Sequence, residues 1–243
     1  MDPSGKVALV TGAGRRVGRA LALALGDSGC RVVVHYHGSK QDAQETASLI
    51  ESLGTNMIML RADLEDPEQV DSLASDVAEQ FGPIEILVNN ASVFEKIRLG
   101  ELSVNDWNRH FAVNVHAPLL LAQKMREQLG ENSPGKIINL NDSRTARRSH
   151  FAYGVSKTAL SGLTRSLALE LAPRIQVNEI LLGAILPPAH IPLDRPRDDI
   201  EIDLGPADRM GTLNEVTNAM MMLISNDFIT GESINVDGGR HIN

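Results

Sequence analysis

VALVTGAGRRVGRALA, residues 7–22, is a run of four apolar residues that breaks into a glycine-rich turn and then into helical periodicity. Uninterrupted Val, Ala and Leu suit a strand buried on both faces, as in a parallel sheet. Gly12, Gly14 and Gly18, spaced G-x-G-x-x-x-G, permit a tight turn and close approach of the backbone to a ligand. Arg15, Arg16 and Val17 lead from that turn into the helix N-terminus, where unpaired N–H groups favour a phosphate. A glycine turn alone says little, but between a buried strand and a helix in a unit of about thirty residues it marks a nucleotide site.

The same rhythm runs along the chain. Apolar strands are expected at 6–10, 31–36, 56–60, 84–89, 136–140, 175–181 and 233–237, with helical segments between them. Ser39 stands where it would cap the second helix, 66–81 reads as the third, and Ser103 with Asp106 forms a capping box before Trp107 and Asn114. Residues 151–171 and 213–225 supply the last two helices. Strict alternation predicts an α/β protein: one Rossmann-type, doubly wound sheet of about seven parallel strands with helices on both faces, a single domain over 1–243. Residues 183–211 break the rhythm with five prolines after a strand's C-terminal end, and are read as a substrate lid.

Composition narrows the function classes. A net charge of −8 and a pI near 5.4 argue against a nucleic-acid partner, because phosphate backbones need a basic face. A single cysteine, Cys30, excludes an intrachain disulfide and a cysteine-rich metal site, and reads as a small buried apolar residue in a reducing, cytoplasmic setting. No apolar run approaches the ~20 residues that span a bilayer, and no metal site is expected. The expected partner is a small molecule.

The end of the second strand selects the nucleotide. An NAD site wants an Asp or Glu there for the ribose 2′-hydroxyl, whereas a 2′-phosphate wants cations and donors. The strand ends H35-Y-H-G-S-K40 without a carboxylate, so Arg15, Arg16, His37, Gly38, Ser39 and Lys40 are read as a cradle for the 2′-phosphate of NADPH.

T11-G with the later glycines, A62-D-L64, N89-N-A-S92, Asn114 and Y153-G-V-S-K157 occur in order, and with them the chain resembles the short-chain dehydrogenase/reductase family over essentially its whole length. The resemblance implies that Asp63 and Leu64 flank the adenine, that Asn89, Ala91, Ser92 and Gly183 line the cofactor, and that Tyr153 and Lys157 contact it at the reacting end. It implies a homotetramer, and a proton-relay water supported by Asn114. The chemistry agrees: hydride transfer to C=O or C=N creates negative charge that a placed acid must meet. Tyr153, of ordinary pKa about 10, is that acid, and Lys157, one helical turn on, is expected to lower its pKa.

Two departures from the common family pattern point to a subgroup. Arg16 replaces the central glycine of the turn, and Asp142 stands where a serine usually ends the fifth strand. Both features resemble pteridine reductases and bacterial dihydromonapterin reductases, as do N89-N-A-S-V-F94 and D237-G-G-R-H241. By that resemblance Phe94 stacks on a flat pterin ring, Ser92 serves its oxygens, and Asp142 accepts from ring N–H groups beside Tyr153. Asp142 and Tyr153 are eleven apart where thirteen is usual, and N178-E-I-L-L-G183 lacks the family's proline. Arg144, Arg147 and Arg148 read as a solvated loop, or as a device that steers an anionic tail. The reading is therefore an NADPH-dependent reductase of a dihydropterin, pterin or dihydrofolate. The alternatives are a carbonyl reductase of 3-oxoacyl or other ketones, and a catalytically silent NADP-binding regulatory protein.

Overall fold

In the computed structural model, which describes residues 1–187 and 204–242, seven strands form one parallel sheet. The strands are β1 (Val7–Val10), β2 (Arg31–Tyr36), β3 (Met57–Arg61), β4 (Ile86–Asn89), β5 (Gly135–Asp142), β6 (Ile175–Leu182) and β7 (Ser233–Val236). Their order, β3-β2-β1-β4-β5-β6-β7, reverses between β1 and β4. Ligands of open α/β sheets bind outside the strands' C-terminal ends at that crevice.

Among the described residues, seven α-helices cover the sheet: α1 (Arg16–Asp27), α2 (Lys40–Ser52), α3 (Pro67–Phe81), α4 (Val104–Phe111), α5 (Ala117–Gln128), α6 (Phe151–Leu171) and α7 (Leu213–Ser225). Alternate residues of each strand feed opposite layers. Val7 and Leu9 pack with α3, α5 and α6, whereas Ala8 and Val10 pack with α1, α2 and α7. Burial on both faces explains why the strands read as continuous apolar runs rather than alternating ones.

Local chemistry sets the helix starts. Asp66 accepts the Glu68 N–H at 2.9 Å with Pro67 at the first turn, and Ser103 and Asp106 make the expected capping box. Ser39 occupies the N-cap of α2 but makes no side-chain cap bond, which differs from expectation. A π-helical segment, Ala112–His116, carries the chain from α4 into α5 and places Asn114 toward β4. Of the segment read as a lid, 188–203 lie outside the described residues. Its two described flanks are pinned together by the Gly211 N–H donating to the Ala184 carbonyl at 2.9 Å.

Candidate active site

A cleft of about 570 Å³ opens at the β1/β4 crevice. Its walls are Gly12 and Gly14–Gly18, the β2 end from His35 to Ser39, Asp63–Glu65, Asn90–Val93, and Arg109 with Val113. Most of the residues expected to hold a cofactor thus meet in one place. Lys40, Asn89, Tyr153, Lys157 and Gly183 do not line this cleft: Asn89 donates to Asn139 across β4 and β5 at 2.8 Å, and Gly183 packs on Asp237.

The turn is built to admit a ligand's phosphates. Gly12 has φ +63°, and a Cβ on Gly18 would stand 2.2 Å from the Gly12 carbonyl oxygen, so that position excludes every other residue type. Arg16 also takes a positive φ, 55°, a conformation that favours glycine, and its guanidinium donates to the Pro187 carbonyl at 2.6 Å. Arg16 therefore ties the turn to the segment after β6. His37, Gly38 and Ser39 remain at the cleft edge, with His37 Nε2 3.6 Å from Asp63 Oδ2. Glycine cradle, helix N-terminus and a donor-rich β2 end together fit a phosphorylated dinucleotide.

The residues expected to react gather beside it. α6 is 21 residues long and presents Tyr153 and Lys157 one turn apart, both buried. Tyr153 donates its hydroxyl hydrogen to Asp142 Oδ2 at 3.0 Å, from the end of β5. Phe94, half exposed rather than a core aromatic, stands edge-on to Tyr153 at 4.6 Å and stacks on His150 at 4.3 Å. Asn114 uses its whole amide on protein partners: Oδ1 accepts from Ser92 Oγ and the Val93 N–H, and Nδ2 donates to the Val93 carbonyl and Ser156 Oγ. Its side chain thus clamps the Ser92–Phe94 loop over α6.

Two expectations change here. Arg147 is not a solvated loop residue: its Nη2 donates to both Asp142 oxygens, at 2.8 and 2.7 Å, and its Nε to the Arg144 carbonyl. The expected effect of Lys157 on Tyr153 is also corrected. Burial holds the Tyr153 pKa well above its ordinary value and the Asp142 charge pushes it further up, opposed by Arg147. Lys157 instead donates to the Leu140 carbonyl at 2.8 Å, with its ammonium 5.9 Å from the tyrosine ring centre. Burial lowers the Lys157 pKa to about 8, against the pull of Asp142 and Glu179.

Sequence reasoning missed several supports. His35 is fully buried beneath the glycine turn; its Nδ1 accepts the Gly12 N–H at 3.1 Å and its Nε2 faces the Ala62 carbonyl at 3.2 Å. Burial drives its pKa to about 4, which keeps the ring neutral with one acceptor and one donor nitrogen. Asn90 Nδ2 bonds the Thr11 and Gly12 carbonyls. A polar residue inside the apolar β2 run was the available signal for His35.

Comparison with known proteins extends this geometry. The family model described as enoyl-(acyl carrier protein) reductase matches residues 12–241. The solved structure of FolM alternative dihydrofolate reductase 1 from Brucella canis, complexed with NADP, superposes with a TM-score of 0.91 at 37% identity, covering 100% of this chain and 96% of that one. Versicolorin reductase stcU of Emericella nidulans is 34% identical over 97% of this chain and 95% of its own length. The 3-oxoacyl-[acyl-carrier-protein] reductase FabG of Staphylococcus aureus is 31% identical over 98% of both chains. Together with the parallel sheet and the Tyr153/Lys157 pair at its crevice, these matches show that the chain belongs to the short-chain dehydrogenase/reductase family of oxidoreductases.

Proposed function

We propose that the protein is an NADPH-dependent reductase of a pteridine, whether dihydropterin, pterin or dihydrofolate. The observation that carries this reading is the Asp142 carboxylate at the end of β5, accepting from the Tyr153 hydroxyl. A carboxylate there offers acceptors to the N–H and amino groups of a heteroaromatic ring, where a serine would offer one hydroxyl. Phe94 adds an exposed flat surface for stacking, worth roughly 0.5–1.5 kcal/mol beyond burial.

NADPH, when bound, supplies the hydride. Gly12–Gly18 hold its pyrophosphate, and Arg15, His37 and Ser39 meet the 2′-phosphate. The NADP complex of the Brucella relative supports that choice. Tyr153 stays protonated at neutral pH because burial and Asp142 keep its pKa high, so it is ready to donate a proton to the reduced ring. Lys157 anchors the reacting end of the cofactor, and Asp142 orients the ring or shares in proton delivery. Arg147 occupies both Asp142 oxygens, so a ring that reaches Asp142 exchanges places with a guanidinium.

A second reading, reduction of a carbonyl compound, is favoured by the identity to the versicolorin and 3-oxoacyl reductases. Oxidation of NADPH by 7,8-dihydrobiopterin and by dihydrofolate, measured beside acetoacetyl-CoA and simple ketones, separates the two. Turnover with ketones alone overturns the pteridine reading, and NADPH binding without any turnover supports the regulatory one. A homotetramer in the cytoplasm completes the proposal, by analogy with the family.

A further inference from the structure

The central part of β6 carries a buried carboxylate. Glu179 is 1% exposed and stands in register with Asn139 of β5 and Ser233 of β7. Its Oε2 accepts from Asn141 Nδ2 at 2.6 Å and Ser161 Oγ at 3.0 Å, and its Oε1 accepts from Ser233 Oγ at 2.6 Å. Taking a carboxylate out of water costs several kcal/mol unless it is solvated and its charge is met. These neutral donors do the first, and the buried Lys157 ammonium is the cation on which its charge acts.

Asn141 connects the parts. The same side chain donates toward the Lys157 carbonyl at 3.0 Å and accepts the Asp142 N–H at 2.9 Å on Oδ1. One amide thus touches Glu179, the α6 turn that bears Lys157, and the strand end that bears Asp142.

We propose that Glu179 is a positioning residue of the reductase site: through Asn141 it fixes Asp142 and Lys157, and it is the buried counter-charge of the Lys157 ammonium. The inference rests on Tyr153 and Lys157 being the reacting pair. Among the described residues, the titratable groups facing the ammonium are Asp142 from β5, Glu179 from β6 and Tyr153 on α6 itself. Both carboxylates hold Lys157 charged against its burial, so removing one lets it deprotonate at lower pH.

Glu179→Gln keeps size and hydrogen-bonding capacity while removing the charge. Turnover of 7,8-dihydrobiopterin and of acetoacetyl-CoA, and NADPH affinity by fluorescence, are followed from pH 6 to 9.5. The alkaline limb is expected to move down by about one unit, a roughly ten-fold loss at pH 8.5 with less than two-fold change at pH 6.5. In a Lys157→Arg background, whose guanidinium does not titrate in this range, the limb that comes from Lys157 is expected to disappear, and Glu179→Gln is expected to add no pH dependence. A limb that coincides with wild type, or that moves equally in the Lys157→Arg background, overturns the inference.

Should Glu179→Gln not fold, Asn141→Ser keeps the charge and cuts the connection. It is expected to lower kcat at least five-fold at every pH without moving the limb, and wild-type kcat overturns the positioning role. Tyr153→Phe, run in parallel, keeps the two claims apart. If it retains turnover, the reacting pair is misassigned; if it is inactive while Glu179→Gln matches wild type, only the role of Glu179 fails.

Discussion

The Tyr153 hydroxyl lies 3.0 Å from Asp142 Oδ2, and this carboxylate, with burial, keeps the tyrosine protonated. A short-chain reductase with a serine at the end of β5 has a neutral hydroxyl at this point. Here the donor shares its proton with an anion that is itself held by Arg147.

Asp142→Ser restores the common residue. Dihydropterin turnover is expected to fall by about 10²-fold or more, the scale of a lost proton-transfer partner, while ketone reduction is retained or gained. Steady-state rates of NADPH oxidation with both substrate classes give the answer. An equal loss for both classes would mean that Asp142 serves the fold or Tyr153 alone.

Arg147→Gln tests the exchange at Asp142. Without the guanidinium on both oxygens, a ring N–H meets less competition, and the KM for a dihydropterin is expected to drop roughly five-fold, about 1 kcal/mol. A KM that rises instead would show that Arg147 binds an anionic tail of the substrate.

Ser39→Asp tests cofactor choice without harming the helix. Ser39 is the N-cap of α2, makes no side-chain cap bond and lines the cleft. Aspartate is among the best N-cap residues, so thermal stability is expected to hold or rise. The new charge would repel a 2′-phosphate and accept from a 2′-hydroxyl, lowering NADPH affinity ten-fold or more relative to NADH. Fluorescence titration of both nucleotides reads the ratio; an unchanged ratio places the 2′-phosphate elsewhere.

His35 predicts an acid limit to stability. Its folded pKa, about 4, lies below the unfolded value near 6.5. Between these values the unfolded chain binds more protons, so this contribution is fully present above pH 6.5 and is lost as pH falls toward 4. The loss reaches about 2 kcal/mol at pH 5. Urea unfolding at pH 7.5 and 5.0 is expected to show it in the wild type and to show that much less pH dependence in His35→Gln; identical slopes would exonerate His35.

The sheet was legible because its five central strands are mostly buried on both faces, and the edge strands β3 and β7, only partly buried, still carry apolar residues. Val7–Val10, Arg31–Tyr36 and Ile86–Asn89 appear as apolar runs whatever their partners, and glycine at position 18 is demanded by the Gly12 carbonyl. The Tyr153/Lys157 pair was legible too, since helical spacing alone puts both on one face of α6.

Long-range partners were not legible. His35 and Gly12 are 23 residues apart, Asn141 and Glu179 are 38 apart, and Arg16 and Pro187 are 171 apart. Arg147 looked like surface charge because neither periodicity nor spacing shows that a loop folds back on the strand end five residues before it. Sequence by itself determined the parallel sheet, the glycine turn and the placing of Tyr153 and Lys157 on one helix face, because these follow from local period and backbone sterics. Only the tertiary structure decided which charges surround Tyr153 and Lys157, because acidity depends on burial and through-space distance to groups brought from other strands.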